Sequence, residues 1–105
     1  MHTYKAKLVR CIDGDTIDVE IDLGFYLTAK IRCRLTGVDT PERGQAKFKE
    51  ATAILEHLIR GKEDEEGHFE LKTGKTGKYG RWLATIDGVN SALAKKWPYD
   101  RGHLL

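Results

Sequence analysis

Two short acidic stretches carry residue types suited to chemistry: "DGDT", Asp13 to Thr16, and "VDTPER", Val38 to Arg43. Asp15 is placed to open a second strand and Asp39 to close a third, and in an antiparallel meander those two ends are neighbours. Carboxylates pushed together repel unless a cation or a proton sits between them. An all-oxygen set with no nearby His or Cys suits a hard cation such as Ca²⁺ or Mg²⁺ and argues against zinc. Thr40 precedes Pro41, which biases it to an extended backbone whose carbonyl can supply a third oxygen. Asp13 stands behind the pair as a further carboxylate. Arg34 lies on a polar strand face just before Asp39, and Arg81 starts a late strand after a lysine-bearing loop. Guanidinium groups present planar forks that match phosphate oxygens. A cation, a carboxylate and two arginines make up the set needed to hydrolyse a phosphodiester. Each motif alone also has a plain reading as turn chemistry, since "DGD" is a common hairpin sequence and Asp before Thr-Pro is ordinary.

Strands must bring these groups together. "DTIDVEIDLGF" alternates, with Ile17, Val19, Ile21 and Leu23 on one face and Thr16, Asp18, Glu20 and Asp22 on the other. "YLTAKIRCRLTGV" alternates again, with Ala29, Ile31, Cys33 and Leu35 opposite Lys30, Arg32 and Arg34. "YKAKLVRCI" is read as a strand although its apolar positions shift phase at 8 and 9. After Pro41 the period becomes helical: "GQAKFKEATAILEHLIRG" places Phe48, Ala51, Leu55 and Leu58 on one stripe, widened by Ile54 and Ile59, with Gly61 as terminator. "HFELKT" and "RWLATID" are strands around a "GKTGKYG" loop, and "VNSALAKKW" is a short helix stopped by Pro98. Three strands, a helix, two strands and a helix predict a mainly β fold with α. It is a five-stranded OB-fold barrel with a helix after strand 3 and a short C-terminal helix.

The 105 residues suit one domain, 1–105, with one modest core. No apolar run reaches bilayer length, and "MHTYKAKLVR" has no apolar signal core. The expectation is a cytoplasmic protein with no membrane association, or a secreted one if a leader has been removed. Cys11 and Cys33 form neither a metal spacing nor a disulfide framework and are expected to be reduced thiols in or near the core. A net charge of +2 is no nucleic-acid signature by itself. Lys72, Lys75, Lys78 and Arg81 nevertheless recur every third residue, while "EDEE" at 63–66 gathers negative charge elsewhere. His2, His57, His68 and His103 are scattered, and none is given a catalytic role.

"IDGDT", "RLTGVDTPE", "GKYGRWLA" and "VNSAL" occur in the order and at the spacings that mark the staphylococcal nuclease (thermonuclease) family, and the chain resembles that family from Lys5 to Leu93. The resemblance implies an OB-fold barrel and a Ca²⁺-dependent endonuclease that acts on DNA and RNA with little sequence preference, with single strands preferred. Such an enzyme leaves a 3′-phosphate and a 5′-hydroxyl. By motif match, Asp15, Asp39 and the Thr40 carbonyl are the calcium ligands. Glu42 orients or deprotonates the attacking water, and Arg34 and Arg81 clamp the phosphate. Lys78 and Tyr79 resemble contacts to a terminal phosphate, Leu83 part of a base pocket, and Tyr99 an aromatic that stacks on a base. The segment between Glu42 and the helix is shorter than in the family's type member. Beyond Leu93 the match fades and the family's final helix is missing, which implies lower stability, a partner over the exposed barrel face, or a truncated gene product. The expected state is a monomer. Two other classes fit the fold. One is a non-catalytic OB module that binds nucleic acid or peptide, which commonly lacks these carboxylates and arginines. The other is a calcium-stabilised structural domain, which leaves Arg34, Glu42 and Arg81 without a purpose.

Overall fold

Alternation along the chain becomes burial along the strands. In the computed structural model, which describes residues 2–76 and 81–98, Ile17, Val19 and Ile21 of strand β2 (Thr16–Gly24) face the core, as do Cys33 and Leu35 of β3 (Leu27–Leu35). Strands β1 (His2–Cys11), β4 (His68–Thr76) and β5 (Trp82–Thr85) complete a closed barrel in the order β1-β2-β3-β5-β4. All pairs are antiparallel except β3 with β5, which run parallel. Helix α1 (Phe48–Arg60) follows β3 and helix α2 (Val89–Lys96) follows β5. This is the mainly β, OB-like architecture that the element order predicts.

The phase shift in β1 has a structural cause. Leu8 pairs with Val19 and Arg10 with Asp18, so Val9 is an extra residue, a β-bulge that is half-exposed. The bulge moves the inward set from Ala6 and Leu8 to Cys11 and bends the strand around the barrel.

Other sequence expectations shift. Leu23 is half-exposed rather than inward, because β1–β2 pairing ends at Ala6 with Ile21 and the hairpin projects past the barrel. Strand β4 runs on through Gly74 to Thr76, into the stretch read as loop, because Thr76 pairs with Trp82. Asp39 lies in the loop after β3, which ends at Leu35. Helix α1 starts at Phe48, later than the periodic stretch. Glu42 and Gln45 close a turn on each other, and Lys47 has φ 65°, which cannot continue a right-handed helix. Its fully buried stripe is Ala51, Leu55 and Ile59, with Ile54 and Leu58 packed at the sides. Cys11 and Cys33 are free thiols, each pushed up to about 12, mainly by burial, so both stay protonated at neutral pH.

Asn90 was legible only as a helix residue, yet it staples three segments. The Ile86 amide donates to its Oδ1 at 2.8 Å, and its Nδ2 donates to the carbonyls of Thr36 at 2.9 Å and Ala84 at 3.1 Å. The loop after β3 is thereby tied to the β5–α2 turn. Asn90→Ala should cost about 1–3 kcal/mol in urea unfolding, because buried backbone groups lose their partners. Asn90→Asp should cost more, since it loses both amide donors and adds a buried charge.

On the outer wall, Asp18 accepts from Arg32 at 2.8 Å and Arg10 at 3.0 Å. The Arg32 hydrogen bond, followed by Arg10, holds its carboxyl below the usual range. A lowered folded value gives stability that is present above the unfolded pKa and is lost as pH falls through the folded one. The stability gap between the native chain and Asp18→Asn should therefore be small at neutral pH, because the pair is largely exposed. In urea titrations it should close as pH drops below about 4.

Candidate active site

Asp15 is an acid in an unusual place: 6% exposed, at the junction between the Asp13–Asp15 turn and β2. Its Oδ1 accepts from the Thr16 hydroxyl at 3.0 Å and its Oδ2 from the Thr40 amide at 3.1 Å. Its carbonyl accepts the Leu35 amide at 2.7 Å, which locks the start of β2 to the end of β3. A buried carboxylate needs such donors to stay charged. Asp13 has its carboxyl pushed up to about 6 by burial and then by its side-chain hydrogen bond with the Asp15 carboxyl, against the lowering effect of the Asp15 amide, which donates to its Oδ1 at 3.0 Å.

Gly14 makes this packing possible. A Cβ there would lie 2.7 Å from Thr40 Oγ1 and 2.8 Å from Ala51 Cβ. Only a residue without one lets the acidic turn press against both Thr40 and helix α1. The sequence signal was present, a glycine between two aspartates, but it reads equally as a solvent turn.

Arg34 organises the other side. Its Nη1 donates to the carbonyls of Val38 at 2.8 Å and Leu35 at 3.2 Å, and sits 3.4 Å from Asp15 Oδ2. Its Nη2 is 3.8 Å from Asp39 Oδ1. One guanidinium therefore curls the 36–39 segment back over the barrel end and holds both acids to it. The Asp39 amide donates to the Trp97 carbonyl at 3.0 Å, and Val38 forms a bridge with Pro98. These ties fix Asp39 and Thr40 from the side of α2.

Asp15, Arg34, Asp39 and Thr40 thus come together. Glu42 follows two residues after Thr40, exposed at the mouth of the loop, with its backbone held in the turn with Gln45. Leu83 is half-buried on β5 and is the register partner of Arg34. Arg81 precedes β5 and lines an open groove with Asp18, Lys30 and Arg32, a lining that does not include Arg34, Asp15 or Asp39. Lys78, Tyr79 and Tyr99 lie outside the described residues.

Among the described residues no three His, Cys, Asp or Glu side chains gather closely enough to hold a metal by themselves. The available set is two carboxylates, Asp15 and Asp39, plus the Thr40 carbonyl, and all three donors are oxygens. Among the described residues, Thr40 Oγ1 is the one buried side-chain polar atom without a hydrogen-bond partner. Oxygen donors, an orphaned hydroxyl beside them and more carboxyls than Arg34 alone neutralises fit a hard divalent ion.

No family model matches the chain. Protein ParB of Escherichia coli is 35% identical over 97 residues, which is 92% of this chain and 49% of that protein. An uncharacterized endonuclease of Escherichia coli O157:H7 is 31% identical over 88 residues, 81% of this chain and 51% of that protein. A micrococcal nuclease of Shigella flexneri is 32% identical over 83 residues, 79% of this chain and 42% of that protein. The chain spans about half the length of the curated relatives it matches. The names of the last two support a nuclease family for this chain.

Gly14→Ala tests the packing that seats Asp15. Its Cβ collides with Thr40 and Ala51, so it should lower stability in urea unfolding by about 1–3 kcal/mol. Gly37→Ala, where a Cβ meets nothing within 4 Å, should lose stability through its positive φ alone.

Proposed function

We propose that the chain is a calcium-dependent endonuclease domain that hydrolyses DNA and RNA phosphodiesters with little sequence preference and leaves 3′-phosphate and 5′-hydroxyl ends. The observation that carries this reading is one guanidinium, Arg34, held 3.4 Å from Asp15 and 3.8 Å from Asp39 at a barrel rim. Asp15, Asp39 and the Thr40 carbonyl would hold the calcium ion, which when bound supplies Lewis-acid polarisation of a phosphate oxygen.

The chain's own groups do the rest. Arg34 is preorganised by the Leu35 and Val38 carbonyls, so no side-chain ordering is needed when a phosphate arrives. Arg34 and Arg81 donate to phosphate oxygens as negative charge grows in the transition state. Glu42, exposed where solvent enters, orients water or takes its proton. Water's oxygen bonds to phosphorus as the bond to the 5′-oxygen breaks, and that oxygen leaves as the hydroxyl after gaining a proton. Leu83 offers an apolar surface to a base, and Lys78, Tyr79 and Tyr99 supply further substrate contacts.

Heat-denatured DNA incubated with the protein should be degraded with Ca²⁺ and survive with EDTA; DNA that is retarded but intact in calcium would establish a binding module instead. Glu42→Gln should keep calcium affinity and lose most activity, and cutting at the native rate would remove Glu42 from the reaction. Arg34→Ala should cost about 10²–10³ in kcat. Because Arg34 also bonds the Leu35 and Val38 carbonyls, its unfolding midpoint must be read beside its rate.

A further inference from the structure

At the far end of the β2–β3 hairpin the backbone adopts a conformation its own residues disfavour. Gly24 pairs with Leu27, so Phe25 and Tyr26 form a two-residue turn, with φ of 53° and 61°. Two positive φ angles are what a tight hairpin wants, but Asn-Gly is the pair that adopts them readily. A side chain with a Cβ pays on the order of 1–2 kcal/mol there. Nothing in the barrel offsets that. Phe25 is 93% exposed and Tyr26 106%, between Leu23 at 50% and Leu27 at 61%. Strain and four exposed apolar side chains at one tip call for something outside the chain that they touch.

The way to that tip is basic. Lys30, Arg32 and Arg34 occupy alternate positions on the outward face of β3, successive ones about 6.7 Å apart along the strand. The registers place two of the outer acids of β2 between cations, Asp18 between Arg10 and Arg32 and Glu20 between Lys7 and Lys30, while Asp22 pairs with Thr28 nearer the tip. Those two rows therefore keep a positive excess. Arg81 joins Lys30, Arg32 and Asp18 in lining an open groove of about 400 Å³. Strand β5 pairs only with Cys33, Arg34 and Leu35 of β3, which leaves residues 27–32 with no strand on that side among the described residues.

We infer that this hairpin face is a binding track for a single polynucleotide strand. Arg34, Arg32 and Lys30 hold successive phosphates, and Phe25 and Tyr26 stack on bases at the far end. Cations that follow a backbone and aromatics that take any base are how barrels of this kind hold single strands without reading sequence. The track runs roughly 27 Å from Arg34 to Tyr26. A single strand suits it better than a second copy of the chain, because two copies paired through this face would bring the same basic side chains against each other. The starting point of the track rests on the nuclease reading, but the test below reads binding and not cleavage.

Fluorescence anisotropy in EDTA, with labelled oligothymidylates from a dinucleotide up to about eight nucleotides, measures the track. Affinity of the native chain should climb with length. Phe25→Asn with Tyr26→Gly should remove about tenfold or more of that climb. The same variant should unfold at an equal or higher temperature, since Asn-Gly suits the turn. Lys30→Ala with Arg32→Ala should lower the slope of log affinity against log salt by about 1.4, at 0.7 per phosphate on single strands. Both double variants binding the longest strand like the native chain would overturn the inference. So would a tip variant that dissociates a dimer in sedimentation while its oligonucleotide affinity is unchanged, because the tip would then belong to a second copy. Length-dependent binding lost in these variants, in a protein that cuts nothing with calcium, would keep the track and remove the nuclease reading.

Discussion

A carboxyl group buried inside a protein dictates its surroundings. Asp15 is buried, so it must find donors, and among the described residues the Thr16 hydroxyl, the Thr40 amide and the Arg34 guanidinium are three of them. Each donor lies on a different part of the chain. Satisfying one side chain therefore brings the start of β2, the end of β3 and the loop beyond it to a single point. Removing any of the three would leave a buried charge short of a partner, which is why the barrel rim and the acid cluster form one unit.

Arg34 has two roles in that unit, and they are physically linked. Its bonds to the Leu35 and Val38 carbonyls shape the loop that carries Asp39 and Thr40, and its remaining reach spans both acids. A guanidinium has donors enough in a fixed fork to do both, whereas a lysine ammonium has neither the planarity nor the span. Fixing the arginine in advance is what the proposed catalysis at a phosphate would use, because little reorganisation remains when charge develops.

The strand patterns, the helix stripe and the five-strand barrel were legible in the sequence because side-chain period follows directly from backbone geometry, with two residues per repeat in a strand and about 3.6 in a helix. The acids and arginines stood out because such charges have no reason to cluster in a core. Less legible were the places where one position serves a distant one. Val9 looked like a slip in pattern until the register with Val19 and Asp18 showed a bulge. Leu23 looked inward because alternation cannot say where β1 stops covering β2. Gly14 and Asn90 looked local, and their importance lies in Thr40, Ala51, Thr36 and Ala84, far away along the chain.

The sequence alone determined which residue types are present for chemistry, how the segments alternate, and thus the class of fold, since those follow from local sterics and from the separation of apolar from polar faces. Only the tertiary structure decided that Arg34 is shared between loop and acids, that Arg81 opens onto a groove beside Arg32, and that Phe25 and Tyr26 stand unshielded at a strained tip. Those outcomes depend on barrel closure and on where each ladder begins and ends. Closure is a property of all five strands at once, and no single stretch of residues carries it.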